Sequence, residues 1–240
     1  MRILMLAPPG VGKRTLGAVI AAHFNVPHIA MGELLRAHVA RHTDLGRAAQ
    51  AHLDRGESVP DEVVLDVARR ELTAARAGGE YLLEGMPRTL PQAQQGYRIA
   101  LHLGMTANVA LYLRVDDDEL VRRLLARAAL ERRQDTEDLI RDWLGLYHQA
   151  TEPLVSWYFQ RGILVIADAM RPTIQVGREI VAALEAMRPL LDHVPEQLRQ
   201  SVDLTGLEAG SGPSADSGLS GIPSLSSLKE RLRLGADERR

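Results

Sequence analysis

The chain has 240 residues, of which 45% are hydrophobic and 25% charged, so it can bury a sizeable core and global disorder is excluded. Its net charge of −2 gives no indication of binding to nucleic acid or to a membrane, and no apolar run approaches the ~18 residues of a membrane-spanning helix. It has no cysteine, which excludes disulfides, thiolate metal sites and a cysteine nucleophile, and agrees with a cytoplasmic location.

The first predicted element is a short buried strand over residues 2–7, which leads directly into a loop that contains Gly10 and Gly12. Lys13 and Thr15 then open a helix. In such a loop, backbone N–H groups and the positive end of the helix converge on one anion. The lysine reaches the outer phosphates and the hydroxyl faces Mg²⁺. The beginning of the chain therefore predicts a phosphate-binding loop.

Strands and helices are then predicted in alternation, which indicates a parallel α/β sheet. Further strands are predicted over residues 28–30, 81–83, 109–113 and 162–166. Further helices are predicted over residues 31–41, 43–53, 60–77, 91–103, 119–129, 136–160 and 174–187.

The end of the chain has a different composition. Residues 205–227 are rich in Gly, Ser and Pro, which is typical of a flexible linker. Leu225, Leu228 and Leu232, with basic residues between them, fit a short amphipathic helix. Two interpretations of this tail stay open: a frayed, solvated end, and a docking segment for an unidentified partner.

A second motif follows the predicted strand at residues 81–83 and occupies residues 84–92, Glu-Gly-Met-Pro-Arg-Thr-Leu-Pro-Gln. Ligands bind beyond the carboxyl ends of the strands in an open parallel sheet. We therefore expect Glu84 to lie beside the phosphate-binding loop, where it can hold Mg²⁺ through water. We expect Arg88 to face an anion there.

Together the two motifs resemble the adenylate kinase family of nucleoside monophosphate kinases, from residue 1 to about residue 187. The resemblance implies a P-loop NTPase three-layer sandwich over residues 1–190, with a five-stranded parallel sheet flanked by helices. It also implies a small monophosphate-binding segment at residues 31–60 and a short lid at residues 123–136, without room for a zinc-binding domain. Residues 191–240 form the tail.

The activity that the resemblance implies is transfer of the terminal phosphoryl group of ATP to a nucleoside monophosphate, with AMP favoured as the acceptor. The implied cofactors are ATP and Mg²⁺, and no zinc is expected. We expect a monomer that binds neither nucleic acid nor membrane.

The resemblance also implies roles for individual residues. Those implied for ATP are Gly10, Val11, Gly12, Lys13, Arg14, Thr15, Arg123, Arg127 and Arg171. Those implied for AMP are Met31, Arg36, Glu57, Ser58, Val59, Gly85, Arg88, Gln92 and Arg132. Catalysis is implied for Lys13, Arg88, Arg123 and Arg132, and contact with Mg²⁺, largely through water, for Thr15 and Glu84. In this scheme Gln92 reads the adenine edge, and Arg133 takes the place of Arg132 if the register shifts by one.

The chain departs from the family pattern at five positions, which are Ala7, Arg14, Met31, Gln134 and Trp143. Trp143 stands where the family has an arginine that contacts the transferring phosphates, and Arg14 stands where it has glycine. Loss of one such arginine typically lowers the rate by roughly two to four orders of magnitude. Three hypotheses stay open: an active kinase of this kind, a catalytically weakened relative that acts through nucleotide binding or its tail, and an unrelated small-molecule kinase with the same loop.

Overall fold

The computed structural model describes residues 1–55, 58–193 and 202–203. Its strands are β1 (Arg2–Leu6), β2 (His28–Ala30), β3 (Tyr81–Glu84), β4 (Val109–Arg114), β5 (Leu164–Asp168) and β6 (Val202–Asp203). Its helices are α1 (Lys13–Phe24), α2 (Met31–Ala40), α3 (Asp44–Asp54), α4 (Asp61–Ala75), α5 (Leu90–Leu103), α6 (Asp117–Leu130), α7 (Glu137–Gln160) and α8 (Thr173–His193).

The strands form one parallel sheet in the order β2-β3-β1-β4-β5-β6. This confirms the predicted five-stranded parallel sheet, to which β6 adds a two-residue edge strand. β1 lies between β3 and β4, and Met5 is in register with Glu84. The carboxyl ends of β1 and β3 therefore lie side by side, and this brings the two sequence motifs together.

The core lies on both faces of the sheet because successive side chains of a strand point to opposite faces. In β1, Ile3 and Met5 belong to one buried cluster, with α1 and α8. Leu4 and Leu6 belong to the other, with α4 and α5. The unbroken apolar character of β1 thus reflects a strand that is covered on both sides.

Threonine is the N-cap residue of three helices, α3, α5 and α7. The hydroxyl groups of Thr43, Thr89 and Thr136 each accept a hydrogen bond from the backbone N–H three residues later. Such caps satisfy one of the N–H groups that have no partner inside a helix. The caps fix where α3, α5 and α7 begin, and these starts lie within a residue of the predicted ones.

The last helix of the domain extends further than predicted. Helix α8 continues beyond residue 187 to His193 with Pro189 inside it, and Leu191 is buried against the core. The predicted tail at 191–240 lies outside the described residues except for 191–193 and 202–203, and so does the predicted amphipathic helix.

Gly46 is expected to be intolerant of any side chain because α2 and α3 approach each other at this position. A Cβ atom at Gly46 would lie 2.1 Å from the backbone oxygen of His38. We expect Gly46→Ala to lower the free energy of unfolding by about 2–3 kcal/mol, as overpacking does, measured by urea titration.

The matched control is Gly145→Ala in α7, where a Cβ meets nothing within 4 Å. Alanine should stabilise α7 there by about 0.5–1 kcal/mol. Equal effects of the two substitutions would contradict the close approach.

Candidate active site

A cleft of about 670 Å³ opens at the carboxyl ends of β1 and β3. Its charged lining is dominated by cations. The cationic residues are Lys13, Arg14, Arg36, Arg88, Arg123, Arg127 and Arg133, and the acidic ones are Glu33, Glu84 and Glu131. A concave site with this excess of positive charge attracts a polyanion and focuses its field on it.

The loop after β1 forms the floor of the cleft and depends on two glycines. Gly10 and Gly12 have φ angles of 86° and 82°, in the left-handed region that favours glycine. A Cβ at Gly10 would lie 2.9 Å from Cγ of Leu124. Gly12 is the N-cap of α1 and offers no side-chain cap. The first N–H groups of α1 are therefore left for a ligand, as a phosphate-binding loop requires.

Lys13 is the first residue of α1 and lies partly buried among other charges. Its pKa is lowered from the ordinary 10.5, mainly by burial and then by the positive charge of Arg88, with a smaller contribution from Arg127. The negative charge of Glu84 acts in the opposite direction. Lys13, Glu84 and Arg88 all line the cleft, although they come from different segments of the chain.

Arg123 is held in a fixed orientation at the wall of the cleft. Its Nε donates to Glu119 at 2.6 Å, and its Nη1 and Nη2 donate to the backbone oxygens of Ala169 and Met170 at 3.1 and 2.8 Å. Hydrogen bonds from Arg122 and Arg123 lower the pKa of Glu119 to about 2, so this anchor stays ionised. Each Nη atom retains a second N–H for a ligand.

Arg127 lies one turn further along α6 and also lines the cleft. Its Nε donates to Glu131 at 2.7 Å, in an exposed pair. Arg123 and Arg127 share one face of the helix, as their spacing predicts.

Glu84 ends β3 and is buried next to the phosphate-binding loop. Its Oε2 lies 2.9 Å from Nε2 of His28 in β2. Gly17 leaves the space for this pair, because a Cβ there would lie 2.6 Å from Nε2 of His28 and 3.0 Å from Oε2 of Glu84. His28 is not among the predicted site residues, because its partner lies 56 positions away and no local pattern connects the two.

Arg36 and Arg88 line the same cleft from the side of α2. Nε of Arg88 donates to the backbone oxygen of Gly85 at 3.1 Å, and among the described residues Arg36 has no ion pair. Gln92 is buried nearby: its Nε2 donates to Asp61 at 2.6 Å and its Oε1 accepts from the backbone N–H of Arg88 at 2.8 Å. In this structure, then, the Gln92 amide holds the backbone of Arg88.

Several predicted site residues lie outside the cleft lining. Val11, Met31 and Val59 are buried in the core, and Ser58 is exposed. Arg171 pairs with Glu179, and Arg132 has a φ of 54° in the turn after α6. It is the neighbouring Arg133 that lines the cleft. Glu57 lies outside the described residues.

Trp143 lines the cleft from α7, and 40% of its surface is exposed. This position departs from the family pattern in the sequence, and the structure places its ring in the cleft lining. Glu33 and Glu131 also line the cleft and were not predicted. Glu131 pairs with Arg127, four positions away, so a carboxylate at helical spacing from a predicted site arginine could have revealed it. Glu33 pairs with Arg14, which lies 19 positions away in another helix, and no local pattern connects these two.

A second cavity, lined mostly by apolar side chains, lies between the sheet and α4, α5 and α7, but its volume of about 40 Å³ is far too small for a nucleotide. Among the described residues, no group of three His, Cys, Asp or Glu side chains is placed to hold a metal ion. In the same part of the chain, no helix has the length and apolar character needed to cross a membrane.

Known proteins with similar sequences match most of the chain. The adenylate kinase family model matches residues 5–163. An adenylate kinase of Thermobifida fusca (strain YX) is 39% identical over 187 residues, which are 78% of this chain and 99% of that protein. One of Kocuria rhizophila is 42% identical over 185 residues, 77% of this chain and 98% of that protein. An adenylate kinase of Acidothermus cellulolyticus is 36% identical over 212 positions, which cover 77% of this chain and 98% of that protein.

Proposed function

This chain belongs to the adenylate kinase family, and from that premise we propose that its cleft holds ATP and AMP together while the terminal phosphoryl group passes between them. The chain is a nucleoside monophosphate kinase. The observation that supports the proposal is that Lys13, at the end of the phosphate-binding loop, and Arg88, from the second motif, line the same cleft. The first belongs to the donor side of the cleft and the second to the acceptor side.

On the donor side, the loop and the start of α1 hold the phosphates of ATP. Gly10, Gly12 and Thr15 offer backbone N–H groups and a hydroxyl, and Lys13 supplies a positive charge. Arg123 and Arg127 lie along the phosphate chain from α6. On the acceptor side, Arg36 and Arg88 hold the phosphate of AMP. Arg132 and Arg171 complete the proposed set from the lid and from the loop after β5, as the lid closes.

The residues present fit a magnesium ion. Mg²⁺ prefers oxygen ligands, keeps several waters and is usually bound through one or two carboxylates and the phosphates of the substrate, so it needs no cage of protein ligands. The exposed hydroxyl of Thr15 and the carboxylate of Glu84 both line the cleft. When bound there, Mg²⁺ neutralises charge on the phosphate oxygens.

The reaction needs positioning and charge stabilisation more than acid or base groups. A phosphate oxygen of AMP forms a bond to the terminal phosphorus of ATP, and the bond from that phosphorus to the bridging oxygen breaks to release ADP. The acceptor is already an anion, so no base has to remove a proton. Lys13, Arg88 and Arg123 stabilise charge that spreads over the equatorial oxygens. Closure of the lid excludes water and so prevents hydrolysis of ATP.

The alternative of a catalytically weakened relative is not favoured. The family relatives are matched over 98–99% of their length, and the cleft retains Lys13, Arg88, Arg123 and Arg127. A coupled assay with ATP, Mg²⁺ and AMP tests the proposal. Measurable binding of ATP without turnover of any nucleoside monophosphate would refute it. We further propose that the enzyme acts as a monomer in the cytoplasm.

The choice of acceptor provides a prediction about Gln92. We expect AMP to be preferred over GMP, CMP and UMP, and Gln92→Ala to raise the KM for AMP about 3- to 10-fold through one lost hydrogen bond. The control is Gln95→Ala, an exposed amide of the same helix, which should leave the KM unchanged. The decisive quantity is the ratio of kcat/KM for AMP to that for CMP. If Gln92→Ala lowers both values equally, Gln92 only positions Arg88 and does not read the base.

A further inference from the structure

Arg14 is the second residue of α1 and lines the cleft beside Lys13. Its side chain is 76% exposed, and among the described residues its only ion pair is with Glu33 of α2, at an N–O distance of 3.4 Å. Both partners are exposed, and ion pairs of this kind are weak. The guanidinium group of Arg14 can therefore leave Glu33 and bind the anion of a ligand instead, at little cost in free energy.

Three other arginines of the cleft are more firmly held. Arg123 is anchored by a carboxylate and two backbone oxygens. Arg127 donates to Glu131 at 2.7 Å, and Arg133 pairs with Asp135 as well as Glu131. Arg14 is thus a cleft arginine whose guanidinium group is available to a ligand.

Helix α7 contributes Trp143 to the cleft lining, and its exposed ring is neutral. Arg14 extends from α1, on the donor side, to Glu33 of α2, on the acceptor side. Its guanidinium group therefore bridges two helices that both line the cleft.

We propose that Arg14 is a further catalytic residue of this chain: its guanidinium group leaves Glu33 and binds the oxygens of the phosphoryl group in transfer. This inference rests on the proposed function. Arg14 forms no covalent bond and moves no proton, and it acts by stabilising the charge of the transition state. Glu33 holds it between the two sides of the cleft until the nucleotides arrive.

The test compares Arg14→Ala with wild type in steady-state kinetics with Mg²⁺, ATP and AMP. We expect kcat to fall about 100-fold, and the KM values for both nucleotides to change less than about threefold, since the contact forms in the transition state. The kcat of Arg14→Lys should lie between those of wild type and Arg14→Ala, because lysine keeps the positive charge but lacks the planar guanidinium group. The matched control is Arg70→Ala in α4, also an exposed arginine with a carboxylate partner, for which kcat should stay within about twofold.

A kcat of Arg14→Ala within about threefold of wild type would overturn the proposal, and so would an effect confined to the KM for ATP. Absence of turnover in wild type would instead refute the proposed function, so the two failures are distinguishable. The role of Glu33 is tested by a double-mutant cycle. Glu33→Gln should raise kcat about two- to threefold in the wild-type background, because Arg14 no longer has to leave a carboxylate, and should leave kcat unchanged in Arg14→Ala. An equal effect in both backgrounds would show that Glu33 does not act through Arg14.

Discussion

Replacement of Lys13 by alanine is expected to lower kcat by about three orders of magnitude without lowering the melting temperature. The loss follows from removal of the compact positive charge that lies closest to the loop glycines, and such charges typically contribute this much to phosphoryl transfer. The unchanged stability follows from the lowered pKa of Lys13. Because its folded-state pKa lies below the ordinary 10.5, folding disfavours the ammonium form at neutral pH, so alanine removes an unfavourable charge.

The chain provides a clear measurement for this residue. It contains 29 lysines and arginines, of which Lys13 and Lys229 are the only lysines. An amine-selective reagent can therefore label only these two side chains and the N-terminus, and peptide mapping can follow Lys13 alone. We expect ATP to protect Lys13 from labelling, and Lys229→Ala to serve as the control with wild-type kcat. A kcat of Lys13→Ala within tenfold of wild type, or a fall of many degrees in its melting temperature, would contradict the assignment.

The phosphate-binding loop could be predicted from the sequence because backbone geometry determines it locally. Gly10 and Gly12 adopt left-handed conformations, and Lys13 begins α1 directly after them. The position of the second motif beside the loop followed from the rule that places ligands at the carboxyl ends of parallel strands. The register of Met5 with Glu84 brings about that proximity.

Side chains placed by tertiary contacts could not be predicted in the same way. In the turn after α6, the left-handed conformation of Arg132 leaves Arg133 lining the cleft, and no periodic pattern determines which of two adjacent arginines does so. The amide of Gln92 is bound to Asp61, which lies 31 positions away. The edge strand β6 has two residues, too few for a hydrophobic pattern to reveal it.

The second large effect is expected at Arg88. Arg88 is exposed in the cleft, makes a single side-chain hydrogen bond to the oxygen of Gly85, and lowers the pKa of Lys13 through its charge. Its remaining N–H groups are free to bind a phosphate in the bidentate manner of arginine. We expect Arg88→Ala to lower kcat about 100- to 1,000-fold and to raise the KM for AMP more than the KM for ATP. Arg88→Lys should recover only part of the loss.

The same substitution provides a second, independent measurement. Without the positive charge of Arg88, the pKa of Lys13 must rise, so at a given pH less of the amine is neutral and its labelling must be slower. The control is Arg98→Ala, an exposed arginine of α5 outside the cleft, which should change neither kcat nor the labelling rate. Slower labelling without loss of kcat would show that Arg88 interacts with Lys13 but does not touch the transferred phosphate. Loss of kcat with unchanged labelling would show that the charge of Arg88 does not act on Lys13 in solution.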